Sequence, residues 1–490
     1  MIRSNFLDYL EAACELFPDK TAFADFNESV TFSQLRELGK KVGSYLALKV
    51  PAACLPVAVL TTHSVADVVA FIGVMYAGCF YVPMDGLAPK SHTDARLEVI
   101  CPAAVISAKT ISQLPVADIN SHKLSEIRSH MKSSDPVYAI FTSGSTGVPK
   151  AAVIAQRSVI NLIEWMCDTL DFNENSVFAG QPPFYFDSSV QELYSTLKCG
   201  ATTYLFPKKY FISPLKVLKL VDEVGANVMP WAAAAIKLVA NSGAFEKYTP
   251  TGVSDVVFGG ENMPAKILNI WRKAMPNTRF TNVYGPTETT VDCAYYTVDR
   301  DLPDEISVPI GYPVRNTELF LLDSNGRPVP KNEAGELYVG GIHVGLGYYN
   351  DPERTAESFI KNPNSQLGET IYKTGDIVRE NEYGELVFLA RADDQVKHMG
   401  SRVELGEVES VAASVEGIRL VFCSYDKENS KILMFYEGQI SASDLTSELN
   451  KRLPKYMCPN EVINVEKMPE MPNGKIDRLT TRRVYYDNSR

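Results

Sequence analysis

The segment FTSGSTGVPK, Phe141 to Lys150, carries the ingredients of a phosphate-binding loop in an unusual order. Its glycines let backbone N–H groups approach an anion closely, its hydroxyls add donors, and Lys150 supplies a point charge. The G-x-x-x-x-G-K-[ST] order of a Walker loop is absent. The strand-like VYAIF precedes the segment and AAVI follows it, so the loop lies between two β-strands. A flexible Gly/Ser surface loop has the same composition. Its neighbours in the chain therefore decide what it is.

Working outward, short β-type runs alternate with helix-period segments. VAVL at 57, AAVI at 103, YAIF at 138, TTYLF at 202, NVMP at 227 and DVVFGG at 255 read as strands. VADVVAFIGVMYAG and PLKVLKLVDEVG read as helices between them. The alternation predicts an α/β fold with parallel-type sheets covered by helices. After about residue 305 the texture changes to TELFLLDSNGRPVP, GELYVGG and YGELVFL, joined by turn residues. These predict antiparallel hairpins and a β-barrel-like subdomain. Beyond RADDQVKHMG (391–400) a helix, two strands and a further helix predict a small α+β domain of about 100 residues. The expected division is 1–392 and 393–490, within the charged stretch at Asp393.

Composition narrows the class. The 490 residues are 45% hydrophobic and 22% charged, which suits a globular protein with a sizeable core. A net charge of −11 argues against a nucleic-acid partner. The nine cysteines are scattered without a C-x-x-C pair, as expected of free thiols in a reducing cytoplasm. The six histidines show no H-x-x-x-H spacing for zinc. The N-terminal MIRSNFLDYLEAACELF reads as an amphipathic helix, not a signal peptide. No apolar run reaches the ~18 residues of a membrane span, so no membrane association is expected.

Three further motifs bear on chemistry. NVYGPTETT (282–290) places Glu288 in a hydroxyl-rich turn, a residue type suited to Mg²⁺ bound to phosphates. YKTGDIV (372–378) puts Asp376 after a glycine, where a carboxylate accepts two ribose hydroxyls. PNGKIDR (472–478) sets Lys475 on a turn. Taken together and in this order, the chain resembles the adenylate-forming superfamily. It looks most like adenylation domains of nonribosomal peptide synthetases and D-alanine–carrier protein ligases. The resemblance also includes VTFSQL (30–35), MYAGCFYVPMD (75–85), FYFDSSVQELY (184–194), GELYVGGIHVGLGYYN (335–350) and RADDQVKHMGSRVELGEVE (391–409). Two departures stand out: Ala390-Arg391 where the family commonly has Gly-Arg, and His398-Met399 in the thiol-channel segment.

The resemblance implies ATP and Mg²⁺ as co-substrate and metal, with Glu288 on the metal. It implies nucleotide contacts from Thr142, Ser143, Gly144, Ser145, Thr146, Lys150, Gly260, Glu261, Asn282, Tyr284, Gly285, Thr287, Asp376 and Arg391. It implies an acyl pocket of Asp187, Ser188, Gln191, Met229, Val257, Gly259, Val283, Val291 and Asp292, closed by Lys475. A substrate carboxylate attacks the α-phosphate to give an acyl-AMP, and a thiol then takes the acyl group. Lys475 is expected to bridge carboxylate and α-phosphate in the first step, and Asp393 to be the hinge between steps. The chain ends 12 residues after Arg478, which leads to the expectation of a separate carrier protein bearing a phosphopantetheine arm.

In the family, the aspartate matched by Asp187 pairs with an α-amino group, so the expected substrate is an amino acid. Gln191 and Asp292 suit a polar side chain, and the set resembles that of glutamine-activating domains. FGGENMP (258–264) instead resembles the D-alanine ligases, and a β-amino acid is a third option. An acyl-CoA ligase is the rival within the superfamily, and a scaffold without catalysis the rival outside it. In PWAAAAI (230–236), Trp231 either reshapes the pocket or belongs to the core.

Overall fold

The computed structural model describes residues 5–113, 119–142, 149–392, 395–427, 429–469 and 476–487. The chain divides into two compact units: Met1–Gly86, Ile100–Ile140 and Ala151–Ala392 in one, and Leu87–Val99, Phe141–Lys150 and Asp393–Arg490 in the other. The expected two-part division took no account of the two short segments, 87–99 and 141–150, that group with the C-terminal residues.

In the larger unit the runs read as strands assemble into sheets. A nine-stranded sheet has the spatial order Tyr312–Pro313, Ala294–Thr297, Arg279–Tyr284, Asp255–Gly259, Val228–Ala232, Val177–Gly180, Thr202–Leu205, Thr21–Ala24 and Ser29–Thr31. Its centre is parallel; the pairs at both edges are antiparallel. Pro56–Thr61 and Phe80–Asp85 form the parallel centre of a second, six-stranded sheet. The helix Val65–Tyr76 is buried along nearly its whole length, as its almost uninterrupted apolar sequence requires. The helix Phe32–Ala47 starts at a capping box in which Thr31 and Gln34 satisfy each other's backbone N–H, which is the local meaning of VTFSQL.

The hairpins expected after residue 305 form a five-stranded antiparallel sheet. Thr317–Leu322 pairs with Ala334–Gly341, which pairs with Thr370–Glu380, and that long strand also pairs with Phe359–Lys361 and Leu386–Arg391. The residues after 394 form the hairpin Gln395–His398/Ser401–Glu404 and a three-stranded sheet, Ile418–Asp426, Lys431–Gly438 and Glu461–Asn464. One face of that sheet packs with Val408, Leu445 and Leu449, while Phe422 and Phe435 stack on the other. Among the described residues no helix is long and apolar enough to cross a membrane.

Candidate active site

Several of the residues expected to line an acyl pocket lie on three parallel strands, Val228–Ala232, Asp255–Gly259 and Arg279–Tyr284, in register at Met229↔Val256 and Gly259↔Val283. Successive side chains alternate between faces. Val228, Val257 and Val283 join one core cluster, together with Val291; Met229, Trp231, Val256 and Phe258 join another. Met229 therefore corrects the expectation. It is fully buried on the face opposite Val257 and Val283, and Val228 stands on their face instead. A one-residue slip in aligning a strand reverses every facing. Trp231 settles as core: its indole donates to Ala179 O at 2.9 Å, and it packs edge-on against Phe211 and Trp271.

Gly259 leaves room, and it is also dictated by packing. A Cβ there would lie 2.4 Å from Val283 O. Gly285 plays the same part for the turn that follows. A Cβ on it would meet Val291 O at 2.3 Å and Asp292 Cα at 2.9 Å, so the chain folds back directly over this residue.

The residues expected at the polar end of that pocket begin in a short turn, Asp187–Ser189, that leads into the helix Val190–Cys199. Asp187 and Ser188 are half-buried there. Ser189 fixes the turn by donating to Phe186 O at 2.8 Å. In the first turn of the helix, Gln191 donates from Nε2 to Asp292 Oδ2 at 2.7 Å. Burial pushes the Asp292 carboxyl up to about 8, against the Gln191 hydrogen bond and with the help of the Asp187 charge. At neutral pH this pair is a neutral acid and an amide. Tyr138 belongs to the same neighbourhood and was not singled out from sequence. Burial and then the Asp187 charge hold its proton on, with Asp292 adding to the effect. Its hydroxyl is buried with no hydrogen-bond partner among the described residues.

Asp292→Asn is expected to raise thermal stability, and by more at pH 8 than at pH 5. In the unfolded chain the carboxyl ionises near its ordinary value of ~4. In the folded protein it keeps its proton until about 8. Between those values the unfolded state binds fewer protons, so the wild type loses stability as pH rises and the asparagine variant does not. Melting both proteins at pH 5, 6.5 and 8 tests this; a constant gap in Tm would mean that Asp292 is ionised throughout.

Asn282 and Tyr284, two of the residues expected at the nucleotide, face the other side of the same strand. Tyr284 donates its hydroxyl to Asp376 Oδ2, and Arg391 Nη1 sits 2.6 Å from Asp376 Oδ1. Thr374 Oγ1 accepts from Asp376 N at 3.0 Å and holds the carboxylate's backbone. Each Asp376 oxygen keeps a second lone pair, as a ribose diol requires. Asn282 spends its amide N–H on Pro309 O at 2.7 Å, so this donor acts as a structural tie. Gly260 follows the strand Asp255–Gly259, and Glu261 pairs with Lys237 at 2.7 Å. Thr287 and Glu288 lie in a buried turn; Glu288 Oε1 accepts from Tyr348 OH at 2.7 Å.

Thr142 ends the strand Pro136–Thr142 and Lys150 begins Lys150–Ala155. The Thr142 hydroxyl is buried without a partner among the described residues, a donor suited to a phosphate oxygen. No group of three His, Cys, Asp or Glu side chains able to hold a metal occurs among the described residues. Ser143, Gly144, Ser145, Thr146, Asp393 and Lys475 lie outside the described residues.

A family model for AMP-binding enzymes matches residues 10–349. Bacitracin synthase 1 of Bacillus licheniformis is 30% identical over 96% of this chain and 9% of its own length. Gramicidin S synthase 2 of Brevibacillus brevis is 31% identical over 95% of this chain and 11% of its own. The chain thus spans only about a tenth of the length of these curated relatives. The Vibrio cholerae adenylation domain AlmE, solved with glycyl-adenosine-5'-phosphate, shares the fold at a TM-score of 0.83 and 21% identity, covering 99% of this chain and 98% of AlmE. An artificially fused adenylation–PCP didomain from Klebsiella oxytoca aligns at a TM-score of 0.81 and 20% identity, over 94% of this chain and 93% of its own. The chain belongs to the AMP-binding enzyme family.

Proposed function

We propose that this chain activates an amino acid with ATP as the aminoacyl-AMP and transfers the aminoacyl group to the phosphopantetheine thiol of a carrier protein. The observation that carries the reading is the division of labour on the strand Arg279–Tyr284. Tyr284 reaches Asp376 on one face, while Val283 joins the pocket valines on the other. An acyl group and a nucleotide that meet at the end of this strand, beside Val283 and Tyr284, are held close enough to react.

In the first step a carboxylate oxygen attacks the α-phosphorus, and the bond to pyrophosphate breaks with its electrons. Thr142 and Lys150 bind the departing phosphates. Glu288 would hold Mg²⁺, which would supply charge neutralisation there. Lys475 bridges the two anions. In the second step a thiolate attacks the acyl carbon and AMP leaves. Rotation about Asp393 between the steps is part of the same proposal.

Asp187 receives the α-ammonium, and the Gln191–Asp292 pair reads a polar side chain. The buried amide–acid contact at 2.7 Å favours a carboxamide such as that of glutamine over the methyl of D-alanine, because an apolar group would leave the pair's remaining donors and acceptors unmet. ATP–pyrophosphate exchange over L-, D- and β-amino acids tests the reading. Exchange that depends on one polar amino acid supports it. Exchange only with acids lacking an amino group would move the chain to the acyl-CoA ligases.

A further inference from the structure

The turn that delivers Asp292 to the pocket is strained. Thr290 has φ 57° and Val291 φ 67°, and Asp292 N donates back to Thr290 O at 2.8 Å. This is a γ-turn of the rare positive-φ kind, centred on a β-branched residue, for which the left-handed region is a genuine outlier. Such a backbone persists only where its surroundings over-determine it.

The surroundings are one histidine and what holds it. His343 is fully buried, and burial pulls its pKa down to about 4, so the ring is neutral. Its Nδ1 lies 2.8 Å from Asp292 O, which can only accept, so Nδ1 carries the proton. Nε2 must then accept, and Asn161 Nδ2 donates to it at 2.7 Å. Asn161 is itself fixed: it donates to Arg315 O at 2.8 Å and accepts from Asn316 Nδ2 at 2.6 Å. The main chain of His343 grips the other end of the turn, because Thr290 Oγ1 donates to His343 O at 2.7 Å. Two residues on, Gly345 N donates to Glu288 O at 2.9 Å.

We propose that His343 is a positioning residue for the acyl pocket: its imidazole and its carbonyl clamp the Thr290–Asp292 turn and thereby set where the Asp292 carboxyl stands against Gln191. The inference rests on the reading of this pocket as the amino-acid site. Residue 343 thus shapes substrate recognition from behind the turn, through the backbone of the pocket residue.

Three variants separate this role from simple core filling. His343→Leu removes both ring contacts. His343→Gln places its amide near the Nε2 position and loses the donor to Asp292. His343→Asn keeps a donor near the Nδ1 position. Hydrogen–deuterium exchange of the peptide spanning residues 286–293 is expected to quicken roughly 10-fold in the leucine and glutamine variants, the scale of one buried carbonyl left unsatisfied, and to return towards wild type in the asparagine variant. In pyrophosphate exchange the same two variants should raise KM for the amino acid roughly 10-fold and leave KM for ATP within about 2-fold. Unchanged hydrogen exchange would overturn the clamp, as would equal rises in both KM values with no rescue by asparagine. If leucine prevents folding, the glutamine and asparagine pair carries the comparison. If the wild type shows no amino-acid-dependent exchange at all, the functional reading fails, and the hydrogen-exchange measurement still decides whether His343 holds the turn.

Discussion

Replacing Lys475 by alanine is expected to slow aminoacyl-AMP formation on the order of 100-fold or more, and to leave transfer from supplied aminoacyl-AMP to a carrier thiol near its normal rate. The first half-reaction brings a carboxylate onto a phosphate, anion against anion. A cation placed between them has most to offer as the five-coordinate phosphorus gathers charge, which is where a single electrostatic contact has its largest effect. In the second half-reaction the attacking group approaches a carbonyl carbon, and AMP departs from a bond already made. The same lysine has no comparable charge to offset there. Single-turnover assays of the two steps, one started with ATP and amino acid and the other with synthetic aminoacyl-AMP, separate these roles. Equal losses in both would remove Lys475 from the bridging position.

The second large effect concerns Asp187. Its charge is felt by Asp292 and by Tyr138, so the polar end of the pocket holds two carboxyls within electrostatic reach of each other. On the proposed function, a substrate ammonium placed there pairs with Asp187, the carboxyl of the two that is charged. Asp187→Ala is therefore expected to weaken amino-acid binding by about 3–5 kcal/mol, the usual loss when one partner of a buried charge pair is removed. KM for ATP should hardly move. The des-amino analogue of the substrate should bind the wild type poorly and suffer less from the mutation, since it has no ammonium to strand. Measured as a cycle of two proteins and two acids, the penalties should fall well short of adding. Simple additivity would mean that Asp187 does not touch the amino group.

The architecture was largely legible because hydrophobic period and turn residues are local properties. The runs at 57, 103, 138, 202, 227 and 255 all lie in strands, and VADVVAFIGVMY is a helix. The antiparallel edges of the large sheets were not, since nothing in a short strand such as Ala294–Thr297 fixes the direction of its neighbour. The structure brought Asp376 and Arg391, from two separate motifs, side by side. Met229 was not legible, because a motif gives a strand's place more readily than its facing. His343 and Asn161 were illegible for a different reason. They are 182 residues apart, and only the folded chain brings their side chains to 2.7 Å. The one hint was a polar ring inside the otherwise glycine-rich GIHVGLG.

The alternation along Arg279–Tyr284 has a consequence for how such a protein can change. Asn282 and Tyr284 are tied to Pro309 and Asp376, while Val283, between them, joins Val257 in the other cluster. One residue along a strand is about 3.3 Å, so the two recognition tasks are adjacent in space yet mutationally separable. On the proposed function, a lineage that exchanged Val283, Val257 or Val228 for larger or smaller side chains would explore new acyl groups without disturbing the contacts that hold the Asp376 carboxylate. Tight coupling of the reaction and loose coupling of its inheritance are thus both written into a single pleat.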